Sequence, residues 1–334
     1  MTARLFITID TEEDDWGKYR SSGFSVENIG QISRLQALFD RYCAIPTYLL
    51  TYPVVTSEDS RRLFREILDR NRCEIGAHCH PWNTPPFEEE INERHSMLCN
   101  LPYSTVVKKI AVLRNEITQS LGVVPNCFRA GRWGFGSNVA AAIQELGFRV
   151  DTSVTPFIDW TPYAGPDCRA APFGSYQFSP LSVQSIAPGG PLLEVPATIG
   201  FLQKNFELCR RVIGWRGLAS RMHVGGFLER AGMVNLRWLS PELSTGKDMI
   251  TLARNCLQRG ASYLNMTFHS TTLLPGKSPY VRTQAALDIF LAKVEMVLNF
   301  ATTEGLIFSP LSQALEDLRP SLQASAGSAA AAVG

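Results

Sequence analysis

The chain has 334 residues, of which 45% are apolar and 19% are charged, a composition typical of a folded domain. Its 32 basic and 31 acidic residues leave a net charge of +1, which argues against a nucleic-acid-binding protein that depends on a strongly positive surface. No apolar run approaches the ~20 residues of a membrane span, and Asp10 comes too early for the core of a signal peptide. We therefore expect a cytoplasmic protein without an integral membrane segment.

Short β-rich segments alternate with amphipathic helical segments along the first half of the chain. The predicted strands lie at 4–9, 45–50, 73–77, 126–128 and 148–150. Helices are predicted between them over 26–42, 57–71, 106–117 and 138–146. Strand–helix alternation at this density predicts a mostly parallel sheet.

The second half of the chain is less regular. Many Pro and Gly residues over 155–191 indicate long loops or a small β insertion. Further strands are predicted at 192–195, 263–268 and 306–308, with helices near 206–222, 247–258 and 287–297. We expect a single domain over 1–320 and a disordered tail over 321–334, because Ala, Ser and Gly there offer little apolar bulk to pack.

About seven or eight predicted strands over roughly 310 residues fit a closed or incomplete (β/α) barrel better than an open sheet. The sequence has no GxGxxG after a strand and no GxxxxGK[ST], so nucleotide binding of these two kinds has no support.

A His-x-His pair, His78 and His80, directly follows an apolar strand. Side chains at i and i+2 of a strand point the same way, so both imidazoles can bind one metal ion. An isolated pair of this kind is as readily explained by two ordinary histidines at a loop edge. The acidic run after the first strand favours the metal interpretation, with zinc or another divalent ion that activates water.

Other polar residues also follow predicted strands, and in a parallel barrel these positions share one face. Asp10 can act as a general base, and Arg129 can hold that carboxylate by a bidentate contact. His269 can act as the general acid for a leaving amine. Each residue alone has an ordinary structural explanation, so the argument rests on their convergence. Three tryptophans near the same strand ends could stack on sugar rings: Trp82, Trp133 and Trp160.

Five segments in this order resemble the polysaccharide deacetylase (NodB-homology, carbohydrate esterase) superfamily, and most closely its WalW-like branch tied to lipopolysaccharide biosynthesis. They are Ile-Asp-Thr-Glu-Glu-Asp-Asp-Trp at 9–16, Glu-Ile-Gly-Ala-His-Cys-His-Pro-Trp at 74–82, Phe-Arg-Ala-Gly-Arg-Trp-Gly at 128–134, Asp-Thr-Ser at 151–153 and Thr-Phe-His-Ser at 267–270. The resemblance covers roughly residues 4–310. It implies a distorted (β/α) barrel with about seven parallel strands and metal-dependent removal of an acetyl group from a sugar.

The resemblance also implies roles for individual residues. By position, Asp10 matches the catalytic base and His78 the first metal histidine. Arg129 matches the arginine that orients the base, and His269 matches the catalytic acid. The aspartate that tunes this acid corresponds to one of two residues, Asp151 or Asp159.

The metal-binding motifs depart from the family pattern at two points. Thr11 stands where the family has a second aspartate, so the metal carboxylate is expected from Glu12, with Glu13 and Asp14 as alternatives. The second histidine, His80, lies two residues beyond the first, where the family spacing is four.

The resulting prediction is a metal-dependent deacetylase, with zinc as the expected ion. Its expected substrate is an N-acetylated sugar or glycan intermediate of cell-surface polysaccharide or lipopolysaccharide biosynthesis, contacted by Trp82 and Trp133. Two alternatives stay open. One is hydrolysis of a non-sugar C–N bond on the same scaffold. The other is a non-catalytic glycan-binding or assembly protein with a degenerate site, which Thr11 favours.

Overall fold

A curled sheet of mostly parallel strands forms the centre of the structure, a computed structural model that describes residues 2–14, 16–211 and 235–318. The strands are β1 (Arg4–Thr11), β2 (Thr47–Leu50), β3 (Glu74–Cys79), β4 (Cys127–Ala130), β5 (Val150–Asp151), β6 (Tyr176–Phe178), β7 (Leu192–Glu194), β8 (Ile199–Phe201), β9 (Leu236–Trp238), β10 (Tyr263–His269) and β11 (Ile307–Phe308). The main sheet has the order β10-β1-β2-β3-β4-β5-β7-β6, with β11 paired to β1.

In the described ranges, the main sheet pairs its strands in parallel except between β6 and β7. β8 and β9 form a separate antiparallel pair. The predicted distorted (β/α) barrel is therefore confirmed. The Pro- and Gly-rich region over 155–191 contributes β6, which agrees with the predicted small β insertion.

Helices flank the sheet and join its strands. They are α1 (Ile32–Arg41), α2 (Tyr52–Thr56), α3 (Glu58–Asp69), α4 (Tyr103–Leu121), α5 (Ser137–Glu145), α6 (Gly246–Gln258), α7 (Gln284–Thr303) and α8 (Ala314–Asp317). Side-chain caps fix three of the helix starts, because Ser57, Thr245 and Thr283 each accept a hydrogen bond from a first-turn backbone N–H. Gly122, with φ 72°, ends α4 in the left-handed conformation that favours glycine.

The helix predicted over 26–42 is divided in the structure. A 3-10 turn, Glu27–Gln31, precedes α1. The Asp14 carboxylate accepts hydrogen bonds from the backbone N–H groups of Glu27 and Asn28. The Asp14 carboxylate thus caps the start of the 3-10 turn, and regular α-helical geometry begins at Ile32.

The central strands carry side chains that are covered on both faces. In β1, residues 5–11 are all buried, and Phe6 packs into a different apolar cluster from Leu5, Ile7 and Ile9. A nearly continuous apolar run is typical of parallel strands that are flanked by other elements on both sides. The alternation of Phe6 with its neighbours places the barrel interior and the helix layer on opposite faces of β1.

An irregular segment lies beside β10 on the side away from β1. The Thr198 N–H donates to the Asn265 carbonyl at 3.1 Å, and the Asn265 N–H donates to the Thr198 hydroxyl at 2.8 Å. Leu239 continues this path, since its N–H donates to the Thr198 carbonyl and its carbonyl accepts from the Thr267 N–H. These contacts join the region after β7 to β10, although Thr198 and Leu239 themselves lie outside the strands.

Part of the sequence-based prediction lies outside the described residues. The predicted helix over 206–222 is present over 206–211, and its remainder is not described. The tail over 321–334 is also outside the described residues, so its expected disorder stays a prediction. Across the described part of the chain, no helix combines the length and the apolar character needed to cross a bilayer.

Candidate functional site

The carboxyl ends of β1, β3, β4 and β10 surround one cavity of about 340 Å³. Its acidic and imidazole lining residues are Asp10, Glu12, Glu13, His78, His80 and His269. Its aromatic lining residues are Trp16, Tyr19, Trp82, Trp133, Trp160 and Tyr280. Parallel strands bring their carboxyl ends to one face of a barrel, which explains how residues so distant in sequence share this cavity.

Glu12, His78 and His80 form a buried group whose ligand atoms all lie within 4.8 Å of one another. Glu12 Oε2 lies 3.4 Å from His80 Nε2 and 3.7 Å from His78 Nε2. His78 and His80 are two positions apart at the end of β3, and Asp10 and Glu12 are two positions apart at the end of β1. Because strand side chains alternate, each pair points into the cavity. Two imidazoles and a carboxylate are a donor set that suits zinc and similar divalent ions.

The surroundings of His78 and Glu12 favour binding of a cation in the cavity. His78 Nδ1 lies 3.1 Å from the Arg129 carbonyl, which leaves its Nε2 facing the cavity. Burial lowers the pKa of His78, which favours the neutral imidazole that metal binding requires. Burial raises the pKa of Glu12 to about 7 despite the opposing charges of His269 and His80. A cation beside Glu12 would compensate for this desolvation, so the residues present fit a divalent metal ion.

The two alternative acids make different contacts. Glu13 accepts hydrogen bonds from Trp82 Nε1 at 3.2 Å and Asn83 Nδ2 at 2.8 Å, and its Oε1 lies 3.6 Å from His80 Nδ1. Glu13 therefore supports the back of the His80 ring. Asp14 binds Ser25 and the turn before α1, and it does not line the cavity. Of the three acids considered for the metal site, Glu12 is the one in the group with both histidines.

Arg129 is fully buried and all five of its N–H donors are used. Nη1 donates to Asp10 Oδ1 at 2.5 Å and to the Thr267 hydroxyl. Nη2 donates to the Thr8 and Thr152 hydroxyls, and Nε donates to the Thr152 carbonyl. The sequence suggested a bidentate pair, but Arg129 contacts Asp10 through Nη1 alone. The other terminal nitrogen, Nη2, donates to the two threonine hydroxyls instead.

Asp10 is held as a carboxylate by its surroundings. Burial opposes its ionisation, but chiefly the charge of Arg129 lowers the pKa of Asp10 to about 2. Its Oδ2 lies 3.9 Å from His78 Nε2 and 3.7 Å from His269 Nε2. Asp10 thus lies between the metal-ligand group and His269, with its free oxygen directed at the cavity.

His269 is held as an imidazolium on the other side of Asp10. Its Nδ1 lies 2.9 Å from Glu242 Oε2, and its backbone N–H donates to Glu242 Oε1 at 3.0 Å. Burial opposes protonation, but the charge and hydrogen bond of Glu242 raise the pKa of His269 to about 10. Trp16 packs edge-on against the His269 ring at 4.7 Å. The free Nε2 therefore carries a proton that it can donate into the cavity.

Glu242 occupies the position that the sequence suggested for Asp151 or Asp159. Asp151 accepts hydrogen bonds from the N–H and hydroxyl of Ser153 and lies opposite Glu194 in the β5–β7 pair. Asp159 accepts from Thr161 and pairs with Arg169. Neither aspartate makes a described contact with the His269 ring. Asp151 alternates with Thr152, whose hydroxyl accepts from Arg129, so the Asp151 side chain points to the other face of the sheet. Glu242 stands in a Leu-Ser-Pro-Glu-Leu-Ser segment, where no strand pattern marks it.

The two tryptophans expected to contact a sugar differ in their surroundings. Trp82 is only 7% exposed, donates to Glu13 and stacks on the His80 ring at 4.1 Å. Trp133 lines the cavity, packs on Trp238 at 5.6 Å and lies 4.9 Å from the Arg129 guanidinium. Trp82 thus helps to position the metal-ligand group, whereas the Trp133 ring forms part of the cavity wall and could contact a ligand.

No protein-family model matches the sequence, and no curated protein matches it. Solved structures do match. A candidate polysaccharide deacetylase from Mycobacterium smegmatis is 16% identical with a TM-score of 0.52, covering 96% of this chain and 91% of that one. A candidate glycoside hydrolase or deacetylase from Parabacteroides distasonis is 11% identical with a TM-score of 0.60, covering 96% and 72%. PuuE allantoinase is 14% identical with a TM-score of 0.52, covering 95% and 90%. At these identities, the likeness establishes a shared fold.

Proposed function

We propose that this chain is a metal-dependent hydrolase that removes an acetyl group from an N-acetylated sugar or glycan. One observation carries the proposal: a single cavity combines the Glu12–His78–His80 group, a carboxylate held ionised and an imidazole held protonated. Two titratable groups with pKa values pushed apart by their partners are a pattern of acid–base catalysis. The shared fold with candidate deacetylases and the five resembling sequence segments support the same reaction class and membership of that superfamily.

The residues of the cavity divide the chemistry among them. A divalent ion held by Glu12, His78 and His80, which we propose to be zinc, would supply Lewis-acid activation of water and of the amide carbonyl. Asp10 accepts the proton of the attacking water at its free Oδ2. Arg129 keeps that carboxylate ionised and fixed. His269 donates the Nε2 proton to the leaving amine, and Glu242 holds the ring through Nδ1.

Our proposal for the source of the substrate rests on the sequence resemblance alone. The WalW-like pattern of the five segments favours an intermediate of cell-surface polysaccharide or lipopolysaccharide assembly, and we propose the cytoplasm as the compartment. Trp133 and Trp160 are the aromatic walls on which a sugar ring can stack. A second candidate function is hydrolysis of a non-sugar C–N bond, because the fold is shared with an allantoinase.

The decisive experiment combines metal analysis with acetate release from a panel of N-acetylhexosamines. We expect about one divalent ion per chain, lost together with activity in the His78→Ala, His80→Ala double variant. The matched control is His95→Ala, since His95 lies outside the cavity and contacts Asn92 and Glu90. This control should keep both metal and activity.

The Asp10→Asn variant separates the general base from the ligands. We expect it to retain its metal while turnover falls by about 10²–10⁴-fold, because the amide cannot accept the proton of water. Loss of metal on this change would make Asp10 a ligand. Metal-free protein that binds glycans without releasing acetate would contradict the hydrolase and favour a glycan-binding protein. Ring opening of a cyclic amide without acetate release would favour the second candidate.

A further inference from the structure

The turn after β4 has an unusual backbone. Arg132 and Trp133 both adopt positive φ values, 54° and 59°, although neither is glycine. Such conformations are costly for residues with large side chains and concentrate at functional sites. The preceding residue has to be glycine, because a Cβ on Gly131 would lie 2.1 Å from the His80 ring. The turn therefore runs against the metal-ligand group and presents its next two side chains to the cavity.

Arg132 is the one lysine or arginine among the described residues that line this cavity. The other charged lining residues are acids and imidazoles, each with a partner within the site. Arg129, the nearest other arginine in sequence, has every N–H donor occupied. A positive charge from Arg132 is thus placed at the cavity without a role in the acid–base chemistry.

Neutral contacts anchor the Arg132 side chain. Nη1 donates to the Ser96 hydroxyl and to the Glu93 carbonyl at 3.3 Å, and the guanidinium lies 5.3 Å from the Tyr19 ring. Its charged partner is Glu93, whose Oε1 lies 3.7 Å from Nη2. The Glu93 side chain is 62% exposed, and an ion pair of this kind contributes little. The guanidinium is therefore positioned but only weakly neutralised.

We infer that Arg132 binds an anionic substituent of the substrate, a phosphate or a carboxylate, which makes the substrate an acidic N-acetylated sugar. This inference rests on the proposed function, since it concerns the same cavity. The planar guanidinium can donate two parallel hydrogen bonds to a phosphate or to a carboxylate. Such charge-assisted hydrogen bonds are stronger than a hydrogen bond to a neutral hydroxyl. The N-acetyl group and the hydroxyls of a neutral sugar would leave this charge with only the exposed Glu93 carboxylate beside it.

The inference is tested by calorimetric binding to the full chain. Three probes share one sugar: N-acetylglucosamine, N-acetylglucosamine 1-phosphate and N-acetylmuramic acid. We expect the chain to bind at least one acidic probe about 10- to 100-fold more tightly than the neutral sugar. The stronger of the two acidic probes identifies the anion.

The Arg132→Asn variant removes the charge with a residue that tolerates the left-handed backbone. It should lose most of the preference for the acidic probe while its affinity for the neutral sugar changes less than about twofold. Arg132→Lys should retain part of the preference, because it keeps the charge without the fork. Arg34→Asn is the matched control, since Arg34 is exposed and pairs with Asp288. A phosphate that binds the metal ion directly would keep its preference in Arg132→Asn and would overturn the inference.

A second variant is expected to act in the opposite direction. Glu93→Gln removes the competing carboxylate and should tighten binding of the acidic probe by about two- to fivefold. Damage to the fold would not produce a gain. Equal weakening of the acidic and neutral probes in Arg132→Asn, or no acidic preference in the unmodified chain, would overturn the inference. An Arg132-dependent preference without acetate release would instead overturn the deacetylase and leave the anion site standing.

Discussion

Two ionisable side chains that lie 3.7 Å apart, Asp10 and His269, are held in opposite charge states. Each depends on a buried partner on its far side, Arg129 for the carboxylate and Glu242 for the imidazole. The pKa of Asp10 is lowered to about 2, chiefly by Arg129 acting against burial, and the pKa of His269 is raised to about 10, chiefly by Glu242 acting against burial. The partners thereby widen the pH range in which both residues are ready to act.

The Glu242→Gln variant tests this control of His269. Glutamine keeps the shape and can still accept from Nδ1, but it carries no charge, so the pKa of His269 should fall. His269 must be protonated to donate, and its proton is lost as pH rises through that pKa. We therefore expect the alkaline limb of kcat/KM to move to lower pH, by about one to three pH units.

The measurement is a pH–rate profile beside that of Glu304→Gln, whose residue pairs with Arg254 at the surface. An unchanged alkaline limb in Glu242→Gln would show that another group sets it.

Among the site residues, those that directly follow a strand could be predicted from the sequence. Those brought to the site by tertiary packing could not. Asp10, His78 and His269 could be recognised because each ends an apolar strand. Glu242 could not, because it reaches His269 through the approach of Leu239 to β10. The departure at Thr11 has a geometric explanation: its hydroxyl donates to the Ile9 carbonyl, and the alternation of β1 directs Glu12 to the cavity.

Among the elements, the loop that follows β3 contributes directly to the site. This loop carries His80 and Trp82, and Lys109 of α4 forms hydrogen bonds to its backbone. Lys109 is fully buried, and its Nζ lies 2.8 Å from Glu89 Oε1. The same Nζ donates to three loop carbonyls, those of Pro81, Thr84 and Pro86.

The Lys109→Met variant should lower the free energy of unfolding by about 3–5 kcal/mol, because it leaves three carbonyls and the Glu89 carboxylate, whose side chain is 9% exposed, without their partner. Its neighbour Lys108 is the matched control, since it pairs with Glu88 and both side chains are about half exposed. Lys108→Met should cost less than about 1 kcal/mol. Urea unfolding followed by circular dichroism measures both. Similar losses in the two variants would contradict the anchoring role.

Element boundaries show where sequence patterns lose accuracy. β3 and β4 were predicted to end at 77 and 128, but they continue to Cys79 and Ala130. The added residues include His78 and Arg129, whose polarity suggests a strand end. Inside this barrel their polar atoms are satisfied by one another and by threonines, so the strands continue.

Across the whole molecule, buried polar groups lie on both faces of the sheet. Asp151 and Glu194 are fully buried neighbours across β5 and β7, on the helix-facing side, because they alternate with Val150 and Leu193 of the interior cluster. Burial raises the pKa of Glu194 well above its usual range, and the Asp151 carboxylate adds to this effect. The pair is therefore stable when Glu194 is protonated and donates to Asp151.

The Glu194→Gln variant should change how global stability depends on pH. A group whose pKa is raised in the folded state stabilises the fold at low pH, and this contribution is lost as pH rises through the raised pKa. Glutamine donates its hydrogen bond at every pH. We expect the Tm of Glu194→Gln to exceed that of the unmodified chain by an amount that grows above the ordinary titration range of glutamic acid. The exposed Glu66→Gln change is the control, and parallel Tm curves for the two variants would contradict the shared proton.

The barrel class could be predicted because strand–helix alternation is a local pattern. The approach of Thr198 and Leu239 to β10 could not, because both residues lie outside the strands and follow no strand periodicity. The Asn265 side chain anchors this region by accepting from the Thr8 hydroxyl and donating to that of Thr152. An asparagine inside a strand gives no hint of such long-range partners.

The position of β10 next to β1 has a consequence for biosynthesis. During translation, the candidate metal ligands, which all lie within residues 12–80, leave the ribosome well before the strand that carries His269. At about 5–20 residues per second, the remaining stretch of about 190 residues takes roughly 10–40 s to translate. During that time one edge of β1 lacks its β10 partner. Under the proposed function, a nascent chain would complete the candidate metal-ligand group before the strand that carries the proposed acid, His269, joins β1.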